Sequence, residues 1–349
     1  MFSHWLLEST DPRLVVQVHG GAWNIPADLK RLHIDGVRHA YDAAMHALSR
    51  GVPPLDVVVS TLKILEDDPT FDAGTGSFLN EDGKVELDAA VMEGKNLRAG
   101  AVASIGRFRN PSEIARAVME RTEHVLLIAE GAERFALSAG FAPVDPASLV
   151  NARERLGFQA WVAAGKPDAR TFFDEEGRVN ASGGTADHES RGTVGVVIGV
   201  RHTSGPGYSV CAGASTGGTR GKMAGRVGDV PLVGSGIYAD DEGAAVCCTG
   251  WGEAFIRMAA AKSVSDRAAR GEHPQEAVEA VLRSIHRRTE GRVGIIAVDA
   301  RGRRGAAFST PDMGYAGQSC SQLMLLAGRY FGAWNSVGTH LEKFARCAQ

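Results

Sequence analysis

The dipeptide Gly192-Thr193 is the point of this sequence with the greatest chemical potential. A small residue precedes a β-hydroxy residue, and a strand-like apolar run follows at 194–198. If the peptide bond between the two were cut, Thr193 would carry both a hydroxyl nucleophile and a free α-amine that can act as its general base. Such a residue hydrolyses amide bonds. Taken alone, Thr193 is equally consistent with an ordinary strand residue. Whether it is a nucleophile therefore depends on the groups that the neighbouring clusters supply.

Two Gly-rich clusters downstream supply matching groups. Thr216, in Ser-Thr-Gly-Gly, places a second hydroxyl just past an apolar strand, although a turn of this kind also suits a simple local cap. Arg226 and Asp229, in Gly-Arg-Val-Gly-Asp, offer a bidentate fork for a carboxylate and an acceptor for an ammonium group. The non-functional alternative is that Arg226 and Asp229 form an ion pair in a surface loop. Together they would recognise the α-amino-acid end of a small molecule.

A third cluster, 248–253, lies where a predicted strand ends and a helix begins. There the Thr249 hydroxyl and the Gly250 N–H form a natural oxyanion hole, because free N–H groups and the helix dipole both favour developing negative charge. The same residues would also serve as a plain helix cap. A catalytic site is favoured because the nucleophile, the second threonine, the Arg/Asp pair and the oxyanion donor all follow one another within a single segment, in Gly-rich turns at strand ends.

A serine hydrolase is the rival enzyme class. His19-Gly20-Gly21 resembles the oxyanion loop of α/β-hydrolases, and 213–217 formally matches the Gly-x-Ser-x-Gly elbow with Ser215 as nucleophile. The glycines after Ser215 argue against the helix that such an elbow requires. A phosphate-binding module is disfavoured too, because 225–229 lacks the Gly-Lys-Ser/Thr of a P-loop.

Composition narrows the class of protein. The chain has 349 residues, 44% of them apolar, and a formal net charge of -3, which gives no electrostatic reason to expect nucleic acid or an anionic membrane. Its five cysteines show no ligand spacing, which indicates a reduced compartment. The first residues lack the features of a signal peptide, and no apolar run is long enough to span a bilayer. We therefore expect a cytoplasmic protein.

Apolar periodicity predicts the elements that must position these groups. Predicted strands cover 14–18, 99–104, 194–200, 208–214, 244–249 and 293–299, with partial alternation at 84–92. Predicted helices cover 33–50, 54–67, 111–120, 129–139, 251–262 and 275–288. The stretch 143–192 is poor in apolar clusters apart from a helical island at 150–164, and it has the character of a linker or a processed loop. The pattern predicts a layered α/β or α+β protein.

The motifs together resemble a known family. The runs GTVG at 192–195, STGG at 215–218, GRVGD at 225–229, CTG at 248–250 and GEAFIR at 252–257 resemble the β-subunit of the isoaspartyl peptidase/plant-type L-asparaginase family, whose members are N-terminal nucleophile hydrolases related to glycosylasparaginase. The first half agrees at 18–23, 65–94 and 110–136. The resemblance covers about residues 14–315.

The resemblance implies an architecture and a maturation step. The expected fold is α+β, a four-layer αββα sandwich, with residues 1–349 forming a single domain made as a precursor. Cleavage between Gly192 and Thr193 would give an α-subunit, 1–192, whose linker spans roughly 143–192, and a β-subunit, 193–349. The subunits would assemble as (αβ)2. No cofactor is expected for catalysis.

The resemblance also assigns site residues. Its catalytic positions are Thr193, Thr216, Thr249 and Gly250, and its substrate-binding positions are Arg226, Asp229 and Gly252. It further implies a structural sodium ion held by the backbone carbonyls of Leu65, Glu66, Asp68, Phe71, Ala73 and Thr75.

The implied activity is hydrolysis of β-aspartyl amide bonds in isoaspartyl dipeptides and L-asparagine, with release of L-aspartate from a covalent β-aspartyl-Thr193 intermediate. Glycosylasparaginase is the alternative, because its catalytic residues are nearly the same. Two near-site departures from the family bear on substrate preference: Asp72 stands where most members carry Asn, and Trp251 replaces a small residue or His beside the oxyanion donor.

Overall fold

The computed structural model describes residues 13–166 and 192–317. In the first range the strands are β1 (Leu14–Trp23), β2 (Leu87–Glu93), β3 (Ala99–Ile105) and β4 (Leu126–Ile128), and the helices are α1 (Ala27–Ser49), α2 (Pro54–Asp67), α3 (Pro111–Arg121), α4 (Ala129–Ser138) and α5 (Ala152–Ala163), with a short 3-10 turn at Pro146–Leu149. In the second range the strands are β5 (Val194–Arg201), β6 (Tyr208–Thr216), β7 (Ile237–Tyr238), β8 (Ala244–Gly250), β9 (Val293–Asp299), β10 (Arg304–Phe308) and β11 (Asp312–Gly317), and the helices are α6 (Gly252–Met258), α7 (Ala260–Ala269) and α8 (Pro274–Thr289).

The strands form two sheets. One has seven strands in the order β11-β1-β5-β6-β2-β3-β4, and the other has four in the order β10-β9-β8-β7. Strand β5, which begins directly after Thr193, therefore lies between β1 and β6. Its register pairs Gly195 with His19 on one side and Val194 with Ser215 on the other. This pairing fixes which residues surround Thr193.

Both faces of the seven-stranded sheet are covered by apolar side chains, because residues along a strand alternate between faces. Val196 and Ile198 of β5 join the cluster packed under α1, α2 and α3. Val197, between them, joins a second cluster that includes Ile296 of the smaller sheet. A third cluster packs the other face of the smaller sheet against α6, α7 and α8. Mixed α and β structure built on two sheets is thus observed.

Most predicted strands and helices are confirmed within a few residues, but α1 begins at Ala27 instead of 33 and β1 runs to Trp23 instead of 18. The helix predicted at 251–262 is wrong in extent, because the chain breaks at Ala259, which has φ 45° and ψ 53°. Ala259 ends α6 and begins α7, which continues to Ala269. A non-glycine residue in the left-handed region costs energy and gives no compositional signal. Among the helices of the described ranges, none has the length and apolar character to cross a bilayer.

Helix α5 is fixed to the second half of the chain by a buried ion pair. Arg220 Nη2 donates to Glu154 Oε2 at 2.6 Å, and the two side chains are 2% and 0% exposed. The Arg220 guanidinium also lies 4.7 Å from the centre of the Phe78 ring. This helix falls within the predicted linker, 143–192, of which 167–191 lies outside the described residues. The described part of that stretch is packed onto the turn after β6.

This ion pair yields a stability prediction. We expect Arg220→Met to lower the free energy of unfolding by about 3–5 kcal/mol, because it removes the guanidinium that balances a buried carboxylate. The matched control is Arg283→Met, since Arg283 pairs with Glu279 at 3.2 Å on the exposed surface of α8. We expect that change to cost about 0.5 kcal/mol or less. Urea denaturation measures both, and equal losses in the two variants would contradict the prediction.

Candidate active site

The hydroxyl groups of Thr193 and Thr216 meet at the ends of neighbouring strands. Thr193 lies just before β5 and is 9% exposed, and Thr216 is the last residue of β6. Thr193 Oγ1 donates to Thr216 Oγ1 at 3.2 Å, and the Gly218 N–H donates to the same Thr216 oxygen at 2.9 Å. Two residues that are distant in sequence are therefore brought together by the β5–β6 register.

The Thr249 hydroxyl approaches Thr193 from the smaller sheet. Thr249 Oγ1 donates to the Thr193 carbonyl oxygen at 3.4 Å and accepts the Ala22 N–H at 3.2 Å. The next residue, Gly250, has φ +125°, and a Cβ there would lie 2.7 Å from the Arg292 carbonyl oxygen. Position 250 therefore requires glycine. Thr249 and Gly250 thus adjoin the residue predicted to be the nucleophile.

The residue before Thr193 packs against β1 backbone to backbone. A Cβ on Gly21, whose φ is +104°, would lie 2.6 Å from the Gly192 Cα, and a Cβ on Gly192 would lie 2.5 Å from the Gly21 Cα. The register of β1 against β11 also shifts between His19 and Ala22. Glycine is required at both contacting positions, because a side chain at either one would clash with the facing backbone.

The predicted Arg226–Asp229 clamp is assembled beside Gly252. A Cβ on Gly252 would lie 2.6 Å from Asp229 Oδ1 and 3.0 Å from Arg226 Nη2. Asp229 is 5% exposed, and its Oδ2 has no hydrogen-bond partner among the described residues. Arg226 Nε and Nη2 donate to Glu253 Oε1 at 3.0 and 2.9 Å. A buried carboxylate oxygen with no donor is suited to a cationic ligand.

Burial sets the protonation of two site residues. It raises the pKa of Asp229 to about 7, and the positive charge of Arg226 is the largest opposing influence. Burial lowers the pKa of His19 to about 3, and the nearby Thr193 backbone acts in the opposite direction. His19 is therefore neutral near pH 7 and fills the space over Gly195, where a Cβ would lie within 3 Å of its ring. Asp229 titrates in the neutral range.

Two supporting groups were missed by the sequence reasoning. Glu253 holds one edge of the Arg226 guanidinium, a role that could have been found by asking which carboxylate balances this partly buried arginine. The Ala22 N–H, which fixes the Thr249 hydroxyl, carries no side-chain signal at all.

The two near-site departures occupy different positions. Asp72 is buried, its Oδ1 accepts the Phe78 N–H at 2.8 Å, and its carbonyl oxygen accepts the Gly217 N–H at 3.0 Å. It therefore supports the turn that follows Thr216. Trp251 packs against the buried cluster of Trp23, Ile25 and Leu29, and the Arg257 guanidinium lies 5.2 Å from the centre of its ring.

The serine hydrolase alternative is not supported by the position of Ser215. This residue is fully buried inside β6 and is paired with Val194 on one side and Ala89 on the other. A nucleophile elbow needs a sharp turn from strand to helix. Within the described range after β6, the next helix begins only at Gly252.

The loop predicted to hold sodium closes on itself. The Glu66 carbonyl accepts the Thr75 N–H at 2.7 Å, and the Asp68 carbonyl accepts the Phe71 N–H at 3.2 Å. A Cβ on Gly74, whose φ is +55°, would lie 2.5 Å from the Glu66 carbonyl oxygen. The Thr75 hydroxyl is buried and has no hydrogen-bond partner among the described residues. The Glu66 and Asp68 carbonyls each accept a backbone N–H, so the Thr75 hydroxyl is the observation in this loop that fits a hard cation.

Comparison with known proteins agrees with this geometry. A family model described as asparaginase matches residues 12–325. The plant-type L-asparaginase of Thermococcus kodakarensis is 44% identical over 309 residues, which cover 86% of this chain and 94% of that protein. The isoaspartyl peptidase/L-asparaginase of Xenopus laevis is 39% identical over 94% of this chain and 98% of that protein. The isoaspartyl peptidase of Escherichia coli is 37% identical over 88% of this chain and 94% of that protein.

Proposed function

Since the chain belongs to the asparaginase family of amide hydrolases, we propose that it is an autoprocessed threonine hydrolase that cleaves β-aspartyl amide bonds. The observation that carries the proposal is the pairing of the Thr193 and Thr216 hydroxyls beside Thr249. The Arg226–Asp229 clamp has an unpartnered carboxylate oxygen, and its Arg226 lies against Gly218, in the turn that follows Thr216.

Maturation begins at Gly192. The Thr193 hydroxyl attacks the Gly192 carbonyl carbon, the C–N bond breaks, and the Thr193 nitrogen takes the hydroxyl proton to become a free amine. Water then hydrolyses the resulting ester, which leaves a carboxylate on Gly192 and restores the hydroxyl of Thr193. The close contact of Gly21 with Gly192 supports this step, because glycine at position 192 places no side chain of its own beside the carbonyl under attack.

The mature reaction uses the same hydroxyl. The α-amine of Thr193, with an ordinary pKa of about 8, accepts the hydroxyl proton as Oγ1 attacks the side-chain carbonyl of the substrate. The Thr249 hydroxyl and the Gly250 N–H stabilise the oxyanion. The leaving amine takes the proton from the α-ammonium, and a β-aspartyl ester forms on Thr193. Water, deprotonated by the same amine, then releases aspartate.

The clamp selects the aspartyl half of the substrate. The α-carboxylate pairs with the Arg226 guanidinium, and the α-ammonium pairs with Asp229 Oδ2, which has no donor among the described residues. Because these contacts involve only the aspartyl group, the leaving group can vary. We place isoaspartyl dipeptides and L-asparagine ahead of glycosylasparagine, in keeping with the names of the relatives.

Steady-state kinetics on β-Asp-Leu, L-asparagine and N4-(β-N-acetylglucosaminyl)-L-asparagine test this order. A higher kcat/KM on the sugar conjugate would make glycosylasparaginase the better assignment. Hydrolysis of none of the three would refute the proposed function. Ser215→Ala, a substitution inside β6, is expected to keep the activity. If the wild type were active as an uncleaved chain and Ser215→Ala were inactive, the serine mechanism would be favoured.

The finer architecture is also a proposal. Apolar clusters between α1–α3 and the larger sheet, between the two sheets, and between the smaller sheet and α6–α8 support a four-layer αββα sandwich. We further propose an (αβ)2 assembly. A sodium ion in the 65–75 loop would be held by the carbonyls of that loop, and the orphaned Thr75 hydroxyl supports the fit. When bound, the ion would neutralise carbonyl dipoles and hold the loop's shape.

Ligand binding is expected to depend on the ionisation of Asp229. Below about pH 7 this carboxyl becomes protonated and loses its charge for the ligand ammonium, so L-aspartate should bind about tenfold more weakly for each further pH unit. Succinate, which has both carboxylates and no ammonium, is the control ligand. Any titration of the Thr193 amine affects both ligands, whereas Asp229 distinguishes them. Calorimetric titrations of the two that weaken in parallel would contradict the assignment.

A further inference from the structure

A buried cation lies beneath the site, and no step of the proposed reaction uses it. Lys222 is 4% exposed, and its Nζ donates to the Glu86 carbonyl oxygen at 2.8 Å. The charged groups that act on it are Asp88, Arg226, Glu86 and Asp72. Burying an ammonium group is costly unless opposite charges and hydrogen bonds compensate it. The burial of Lys222 next to the site therefore calls for an explanation.

Lys222 packs under the turn that fixes Thr216. A Cβ on Gly218 would lie 2.9 Å from the Lys222 Cδ and 3.1 Å from its Nζ. The Gly218 N–H is the donor to Thr216 Oγ1 at 2.9 Å, and Thr216 Oγ1 is the acceptor of the Thr193 hydroxyl. The Lys222 side chain thus packs against Gly218, the residue whose N–H orients the Thr216 hydroxyl.

Asp88 supports the other half of the site from β2. It is fully buried and is the cross-strand partner of Thr216. Its Oδ1 accepts the Ser104 N–H at 2.9 Å, and its Oδ2 accepts the Gly228 N–H at 3.4 Å. Gly228 lies directly before Asp229, and a Cβ there would lie 2.9 Å from Arg226 Nη1. Asp88 therefore holds the turn that carries the clamp.

The charges of Lys222 and Asp88 depend on each other. Burial raises the pKa of Asp88, and the charge of Lys222 is the largest influence against that rise. Burial lowers the pKa of Lys222, and the charge of Asp88 is the largest influence against that fall. Each residue helps to keep the other ionised.

We infer that Lys222 and Asp88 are positioning residues for the hydrolysis, Lys222 by setting the Gly218–Thr216 turn behind the nucleophile and Asp88 by setting the Gly228–Asp229 turn of the clamp. The inference rests on the proposed function. It divides the two roles: Lys222 acts on the chemical step through Thr216, and Asp88 acts on substrate binding through Arg226 and Asp229.

The test is a kinetic split between two variants. We expect Lys222→Met to lower kcat on β-Asp-Leu roughly 10- to 100-fold with KM within about threefold, because a small misplacement of reacting groups is costly. We expect Asp88→Asn to raise KM by a similar factor with kcat little changed. Rates are expressed per released Thr193 amino terminus, so that incomplete cleavage does not enter. The control is Lys262→Met, since Lys262 pairs with Asp266 on the surface of α7.

Two further measurements keep the inference falsifiable. The double variant Lys222→Met/Asp88→Asn leaves no uncompensated charge and should show both kinetic defects even if a single variant folds poorly. Crystal structures of the variants do not depend on the reaction, and we expect the Gly218 N to Thr216 Oγ1 contact to open in the absence of Lys222. Unmoved turns, or kcat and KM that change only as in Lys262→Met, overturn the inference. Failure of the wild type to hydrolyse any β-aspartyl amide instead counts against the proposed function.

Discussion

Replacing Thr193 by alanine is expected to leave the chain in one piece and to reduce β-aspartyl hydrolysis by at least about 10⁴-fold, since the loss of a catalytic nucleophile costs several orders of magnitude in rate. Alanine keeps the backbone of the strand entry but lacks the hydroxyl that donates to Thr216 Oγ1. Both the attack on Gly192 and the attack on substrate are then lost. Gel electrophoresis and release of aspartate from β-Asp-Leu measure the two losses.

Thr193→Ser is the matched control, because serine keeps the hydroxyl and, once cleaved, the α-amine. We expect this variant to be cleaved and to retain measurable activity, with a lower rate because the methyl group no longer restricts the hydroxyl. A Thr193→Ala protein that hydrolyses β-Asp-Leu at a rate near the wild type would show that another group is the nucleophile.

The second large effect is expected at the clamp. Asp229→Asn should lower kcat/KM on L-asparagine by about 10²- to 10³-fold, because it removes the buried charge that we propose pairs with the substrate ammonium through the unpartnered Oδ2. The change is nearly isosteric, so the packing of Oδ1 against Gly252 is preserved.

Succinamate gives the control for this variant. It is asparagine without the α-amine, so it makes no use of Asp229, and wild type and Asp229→Asn should hydrolyse it at similar low rates. The substrate difference and the residue difference thus form a double-mutant cycle. Equal losses on asparagine and succinamate would show that Asp229 acts on the structure of the site and not on the ammonium.

Much of the fold follows from apolar periodicity. The runs at 194–200 and 208–214 predict two buried strands, and these are β5 and β6. The break at Ala259 escaped prediction because neither glycine nor proline marks it. Strand β11 escaped as well, since its pairing with β1 joins distant parts of the chain and has no local signature.

The site shows the same division. Residue types in Gly-rich turns pointed to Thr193, Thr216 and Thr249, and the structure brings their hydroxyls to the same place. What the sequence could not supply is register: the pairing of Asp88 with Thr216 across β2 and β6 depends on how distant strands align. Support from the Ala22 amide was equally invisible, because any residue except proline carries that group.

Cleavage before Thr193 is proposed to free the α-amine that activates the Thr193 hydroxyl toward substrate. Denaturing mass spectrometry of the purified wild-type protein, incubated until its activity is constant, tests it most directly. We expect two fragments that meet between Gly192 and Thr193, with activity rising in proportion to the fragment that begins at Thr193. A fully active protein with a single intact chain would contradict the mechanism.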